Sequence, residues 1–352
     1  MNSSAHETPA KHGAQLSVPI NEVNWRHCRR GFSHRQLNNP LYLLFHPLPQ
    51  RTGDPVAEAT IHVPVLLKEV LEITGITPGA QVVDGTLGGG GHTLALAQQV
   101  SPGGQVISLD RDLTAIDRFD PLRQNLPIRL AQANFCQIPE VLDQLDIPHV
   151  DAVLMDLGMS SDQLADDNRG FSFHSPGPLD LRFDTTEGDP AWRLVERLSQ
   201  RHLADLLYNF GEERLSRRIA TAILRRRSEG PLRRAIDIAE LITGVYPTYR
   251  KEKIHPATRS FQALRIAVND ELTSLDIALR RVPDRLCAGG CFCVISFHSL
   301  EDRRVKHAFR DDPRLDVLTG RSITASDEEI ARNPRSRSAR LRVAQRVADH
   351  GG

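Results

Sequence analysis

The stretch Gln81-Val82-Val83-Asp84-Gly85-Thr86-Leu87-Gly88-Gly89-Gly90-Gly91-His92 decides the fold. A short β-branched run ends in a carboxylate, a glycine-dense turn follows, and apolar residues then recur at helical spacing from His92 to Val100. The pattern predicts strand, loop and helix in succession. In open α/β sheets, ligands bind at such turns because glycine lets the backbone come close and a helix N-terminus favours polar or anionic groups. Each of the successive glycines costs roughly 0.5–1 kcal/mol relative to alanine in chain entropy. A flexible surface loop is the plainer reading of these glycines, but their place after a strand and before a helix favours binding.

Outward from this unit the same alternation repeats. Ser101-Pro102-Gly103-Gly104 stops the helix, and Gln105 to Leu109 makes a second strand ending at Asp110. Ile128 to Leu130, Ala152 to Met155 and Cys291 to Phe297 read as a third, fourth and fifth strand. Strands alternating with helices from Ile61 onward predict an α/β domain with a mostly parallel, Rossmann-like sheet covered on both faces. Between Asp167 and Arg265 the strand signal vanishes, and Leu215, Ile219, Ala222 and Ile223 recur at helical spacing. Because a strand follows that region, it reads as an all-helical insertion within the sheet domain. The expected layout is an N-terminal extension over 1–58, a first part of the sheet domain over 59–166, the insertion over 167–262 and a second part over 263–352 ending in a basic tail. The extension shows no sustained period, is predicted to be disordered, and is assigned no role.

Composition narrows the class. The chain has 352 residues, 40% of them apolar, enough to bury a sizeable core. No run approaches the roughly 18 uninterrupted apolar residues of a membrane helix, and no secretory signal opens the chain. Five cysteines in a chain of this length point to a reducing compartment, so the cytoplasm is the expected location. Cys291 and Cys293 alternate on one strand face and read as core packing, since two thiols one residue apart lack the ligand pattern of structural zinc. No metal site is expected. Lysine plus arginine and aspartate plus glutamate both number 44, so only local clusters can attract a polyanion. Trp192 to Arg234 holds eleven basic residues against five acids, and Arg332 to Arg346 holds six arginines and no acid. Both clusters suit phosphate contacts.

The strand ends suggest the ligand. Asp110 closes the second strand about twenty residues beyond the glycines, where a carboxylate can accept both hydroxyl hydrogens of a ribose. That serves a nicotinamide dinucleotide equally well, but such sites favour a spaced G-x-G-x-x-G turn for the pyrophosphate. A turn opened by Asp84 suits an amino-acid moiety, and S-adenosylmethionine carries ribose, adenine and an α-amino acid. Phe135, past the third strand, is a candidate adenine contact and equally an ordinary core residue. The fourth strand runs into Asp156-Leu157-Gly158-Met159-Ser160-Ser161, with Gln163 close behind. A carboxylate at that tip can accept the hydrogens of an exocyclic amine, whose lone pair is otherwise delocalised, and can stabilise the positive charge that develops on methylation. Asp156 is therefore the first catalytic candidate, the alternative being a turn or helix-capping carboxylate.

The ordered motifs extend the reading. His62-Val63-Pro64-Val65-Leu66, the Asp84 to Thr93 loop, Asp156 to Ser161, Arg169-Gly170-Phe171-Ser172-Phe173 and Pro178-Leu179-Asp180-Leu181-Arg182 come first. Gly211-Glu212-Glu213, His255-Pro256-Ala257-Thr258-Arg259, Ser296-Phe297-His298-Ser299-Leu300-Glu301-Asp302 and Asn333 to Ser338 follow. From about His62 to the C-terminus the chain resembles the MraW/RsmH family of bacterial ribosomal RNA cytosine-N4 methyltransferases. The resemblance implies a class I S-adenosylmethionine-dependent methyltransferase with an inserted helical domain, acting on a cytosine of 16S ribosomal RNA near the P site of the 30S subunit. It places cofactor contacts on Gly90, Gly91, His92, Asp110, Phe135, Asp156 and Gln163. Gly89 stands where some relatives carry a larger residue, and the N-terminal extension has no family counterpart.

Ser296 and His298, with Ser299, Glu301 and Asp302, follow the fifth strand and are candidates to hold the target base. A helix start capped by Ser299, with the two acids complementing its dipole, explains the last three as well. Asp180, Arg182, His255 and Arg259 fit either a base pocket or a hydrogen-bonded domain junction. A homodimer is left open. Two other classes compete: a nicotinamide-dependent oxidoreductase, which the missing G-x-G-x-x-G disfavours, and a non-catalytic ribosome assembly factor on the same fold.

Overall fold

The computed structural model describes residues 64–123, 125–247 and 254–348. The extension over 1–58 and Cys28 lie outside the described residues. Among those described, the first elements in chain order are α1 (Leu67–Thr74), β1 (Gln81–Asp84), α2 (Gly91–Val100), β2 (Gln105–Asp110), α3 (Leu113–Phe119), β3 (Ile128–Gln132), α4 (Ile138–Gln144), β4 (Val150–Asp156) and α5 (Ser161–Ala165). Six helices follow: α6 (Ala191–Arg197), α7 (Gln200–Gly211), α8 (Ser216–Arg227), α9 (Ala235–Val245), α10 (Thr258–Asn269) and α11 (Glu271–Arg281). The chain then returns to the sheet through β5 (Leu286–Ser296), α12 (Ser299–Asp311), β6 (Leu315–Val317), α13 (Asp327–Arg332) and β7 (Arg340–Arg346).

The strands form one sheet in the order β3-β2-β1-β4-β5-β7-β6. The pairs from β3 through β5 are parallel, while β7 runs antiparallel to both β5 and β6. The chain leaves β1 in one direction through β2 and β3, then crosses back to place β4 on the other side of β1. That reversal opens a crevice beyond the carboxyl ends of β1 and β4, the place where doubly wound sheets bind ligands.

Alternation along the strands builds a core on each face. Val83, Val153, Met155, Phe292 and Val294 meet Ile138 and Leu142 of α4, Leu275 and Leu279 of α11, and Phe309 of α12. Val82, Ala152, Leu154, Cys291, Cys293 and Ile295 turn the other way onto Leu96 and Val100 of α2 and Phe119 of α3. Cys291 and Cys293 are thus core residues on one face, as their spacing implied.

Among the described residues the five expected strands become seven, with β6 and β7 added at the far edge, and two differences stand out. β5 begins at Leu286 instead of Cys291, because Ala288, Gly289 and Gly290 are absorbed by an irregularity where the register shifts between Val150 and Ala152. The arginine run read as a phosphate-gripping tail contains β7: Leu341 and Val343 are buried against the sheet, and inward-facing Arg342 is neutralised by Asp302 of α12 at 2.7 and 3.2 Å. Arg332, Arg337 and Arg340 of that run stay exposed.

Candidate active site

The glycine turn is tied from below by Asp84. This fully buried carboxylate accepts from the Thr86 backbone N–H at 3.1 Å and from Thr93 Oγ1 at 2.6 Å, folding the loop back over the end of β1. Burial pushes its carboxyl up to about 7, against the pull of the Thr93 and Thr86 hydrogen bonds. Gly90 ends the turn at φ +79, and a Cβ there would stand 2.1 Å from the Phe119 ring. Glycine is therefore required both for the left-handed backbone and for the seat against α3. Gly85 is tight against Phe135, whose Cβ would lie 3.1 Å from an added methyl, and the Phe135 side chain packs against the core on that face.

Asp110 reaches the same loop from β2. One oxygen accepts from the Gly88 N–H and the other from the Asp112 N–H, each at 2.9 Å, and burial lifts its carboxyl to about 6. Asp112 is clamped in turn by Gln163 Nε2 at 3.0 Å and by Arg169 Nη1 at 2.9 Å. Gln163 also closes the capping box of α5 with Ser160, so its amide braces the wall of the crevice. Arg169 was quoted only as part of a motif. Its second nitrogen donates to the carbonyls of Arg182 and Phe183 at 2.8 and 2.9 Å, tying the segment before α6 to the end of β2.

Asp156 enters from β4. Its backbone N–H donates to Thr86 Oγ1 at 2.7 Å, and its Oδ2 lies 3.7 Å from Nδ1 of His92, whose Nε2 is 3.0 Å from the Val65 carbonyl. Its other oxygen, Oδ1, is buried with no hydrogen-bond partner among the described residues. Burial raises this carboxyl to about 8, with Asp84 adding to the rise and Arg335 opposing it. The capping alternative for Asp156 fails, because Ser160 caps α5. A buried acceptor without a donor is costly in a finished core and useful in a site.

A second wall comes from residues the sequence reading did not single out. Arg335, in the short helical turn Pro334–Ser338, donates to the Met159 carbonyl at 3.0 Å and to Ser161 Oγ. Arg265 of α10 forms a two-pronged pair with Glu271 at 2.9 and 3.0 Å, and its guanidinium lies beside Gly158. Arg335 could be found in the sequence only through its motif, and Arg265 carried no signal beyond its helix.

His298 caps α12. Its Nδ1 accepts from the Glu301 N–H at 3.4 Å and its Nε2 stands 3.1 Å from Glu301 Oε1. Burial pushes the Glu301 carboxyl up, but His298, Arg265 and the Phe297 N–H outweigh it and hold it below its ordinary value. The cap is thus His298, where Ser299 was the sequence candidate; Ser299 Oγ instead donates to Glu212 Oε2 at 2.6 Å. Ser296 is buried, and its hydroxyl is engaged by the Arg340 carbonyl of β7 at 3.4 Å. Asp180 and Arg182 form a two-pronged pair at 2.8 Å, and His255 stacks on Phe173 with centroids 4.6 Å apart, as a junction between segments would.

The tips of β1, β2 and β4 and the glycine turn therefore meet in one crevice. The Asp156 oxygen without a donor, the carboxyl of Asp110 and the close-approach turn are chemically compatible with the polar groups of S-adenosylmethionine. The MraW methylase family matches residues 59–347. The chain belongs to this family. A ribosomal RNA small subunit methyltransferase H of Rhodopirellula baltica is 47% identical over 307 residues, covering 84% of this chain and 94% of that one. Its counterpart in Pelobacter propionicus is 44% identical over 310 residues, covering 81% and 98%. A solved rRNA methylase of Streptococcus thermophilus overlays only loosely, with a TM-score of 0.39 and 10% identity over 82% of this chain and 99% of that one. As a member of the MraW methylase family the chain is a class I methyltransferase, and its cofactor is S-adenosylmethionine. Among the described residues no helix is long and apolar enough to cross a membrane.

Proposed function

We propose that this protein methylates the exocyclic N4 of a cytosine in the decoding region of 16S ribosomal RNA. The names of its relatives support a small-subunit ribosomal RNA substrate. The observation that carries the amine is the unpartnered Oδ1 of Asp156. The sheet parts 59–166 and 263–352 hold the chemistry in this reading, and the helices of 167–262 face the RNA of the 30S subunit.

Gly90, Gly91 and His92 seat the amino-acid end of the cofactor, Asp110 its ribose, and Phe135 its adenine, with Gln163 holding the wall behind them through Asp112. S-adenosylmethionine, when bound, supplies an activated methyl group. Asp156 Oδ1 accepts a hydrogen from the N4 amine, which draws the nitrogen lone pair out of conjugation with the ring. As the nitrogen becomes four-coordinate its charge rises, and the same carboxylate stabilises it and takes the departing proton. A carboxyl lifted to about 8 is matched to that proton transfer near neutral pH. Thr86 keeps the strand tip in place through the Asp156 N–H, and His298 stands on the β5 side with its orientation set by Glu301.

The test is methyl transfer from labelled S-adenosylmethionine to 30S subunits, followed by nucleoside analysis. The wild-type protein should yield N4-methylcytidine, and Asp156→Ala should lower the rate by about 100-fold or more while S-adenosylhomocysteine still binds. Methylation at another atom would remove the N4 assignment. An undiminished rate in a folded variant would remove the role of Asp156. Tight subunit binding with no transfer at all would mark an assembly factor.

A further inference from the structure

Acids answer most arginines around the crevice: Arg169 pairs with Asp112, Arg265 with Glu271 and Arg342 with Asp302. On α8 this pattern breaks. Arg217, Arg218 and Arg225 are exposed, and their guanidinium groups make no ion pair or hydrogen bond among the described residues. Together with Thr221 they stand at i, i+1, i+4 and i+8, an arc of about 100° on the helix. The opposite face, with Ser216, Ile219, Ala220 and Ile223, is buried. Arg214, exposed and equally unpaired among the described residues, precedes the helix at the same end.

The position of this stripe gives it a meaning. Arg214 is two residues beyond Glu212, and Glu212 accepts from Ser299 at 2.6 Å and lies 3.5 Å from Arg303. Ser299 opens α12 directly after His298, and Phe297 lies beside Gly158 at the mouth of the crevice. Glu213, the next acid, is buried and spent on the Leu215 N–H and the Tyr246 hydroxyl. The stripe thus starts at the rim of the crevice and runs outward along α8 for about 12 Å from Arg217 to Arg225. With a net formal charge of zero, the chain has no overall field to attract a polyanion, so an uncompensated row of this kind is a local feature.

We propose that the exposed arginine face of α8 is a phosphate track, gripping the backbone of single-stranded RNA beside the target nucleotide. The proposal rests on the reading of the site as an RNA methyltransferase. Arginine suits the task because its planar fork meets phosphate oxygens with two bonds and reads no sequence. Such contacts set the register of the strand over the crevice and leave the choice of base to the pocket.

The experiment compares Arg217→Gln/Arg218→Gln/Arg225→Gln with a control that loses three arginines elsewhere, Arg129→Gln/Arg310→Gln/Arg321→Gln. Affinity for a 16S RNA fragment containing the target cytosine is measured against salt concentration, with S-adenosylhomocysteine binding as the check on folding. Removing three phosphate contacts to a single strand should flatten the slope of log affinity against log salt by about 2, an effect the control lacks. RNA binding unchanged in slope and affinity in the α8 variant, while the wild-type protein methylates that RNA, overturns the track and leaves the methyltransferase reading standing. Equal loss in both variants also overturns it. A wild-type protein that binds S-adenosylhomocysteine but neither binds nor methylates the fragment or 30S subunits overturns the reading and the track together.

Discussion

Replacing Asp156 with asparagine should make the cofactor-free protein more stable at alkaline pH even as it disables the site. The native carboxyl titrates at about 8, against an ordinary 3.8. Between those values the folded chain keeps a proton that the unfolded chain has released, so stability falls as pH rises through this window and levels off above about 8. Each tenfold displacement of the equilibrium is worth about 1.4 kcal/mol, which puts the ceiling near 6 kcal/mol. The side chain retains 20% exposure. Water reaching it, together with a shift of Arg335 toward the carboxylate once ionised, reduces the expected cost to about 2–4 kcal/mol.

Asparagine has the same shape and no titration, so Asp156→Asn removes this cost at high pH and changes little near pH 4. The assay is guanidinium unfolding of both proteins across pH 4 to 9 without cofactor. Asp84 and Asp110, also raised, will make the wild-type curve fall and will leave a residual slope in the variant. The informative quantity is the difference between the curves, which should grow from near zero to about 2–4 kcal/mol in favour of the variant. Parallel curves would refute the claim that the site stores free energy in a buried carboxyl whose Oδ1 has no donor among the described residues.

Gly90→Ala should lower stability by about 1–3 kcal/mol, because the methyl meets the Phe119 ring at 2.1 Å in a left-handed turn. Thermal unfolding measures that loss, and calorimetry with S-adenosylhomocysteine should show weaker binding. Arg335→Gln removes the cation that holds the Asp156 carboxyl down, so that carboxyl should rise further. Because the proposed mechanism uses the carboxylate, the acid limb of the pH profile of kcat/KM should move to higher pH, and an unmoved limb would show that Arg335 does not act on Asp156.

The sheet was legible where burial on both faces leaves continuous apolar runs, as in Val82-Val83 and Ala152 to Met155, and where glycines mark the turn after β1. β7 was not, since Arg340, Arg342 and Arg346 mask the Leu341 and Val343 positions and the acid that neutralises Arg342 sits in another helix. In the site, the acidic strand tips could be placed because topology alone fixes where strands end. Arg335 could not, because it meets Met159 across 176 residues of sequence and only the folded sheet edge brings them together. The cap of α12 was legible as a cap but assigned to the wrong residue, because the ring nitrogen of His298 does what a serine hydroxyl usually does.

Three carboxyls at the ends of β1, β2 and β4 all titrate above their ordinary range, and burial is the leading cause in each. Hydrogen bonds from the loop satisfy Asp84 and Asp110, so their residual cost is mainly that of holding the glycine turn in shape. Asp156 differs, since among the described residues Oδ1 has no donor, and Oδ2 lies 3.7 Å from the His92 ring. An acid in that condition lowers its energy by taking a proton or by drawing positive charge closer, from Arg335 or from a bound cation. A bound cation therefore shifts the balance from the neutral acid toward the carboxylate. In the proposed reaction that shift strengthens the acceptor as charge builds on the amine.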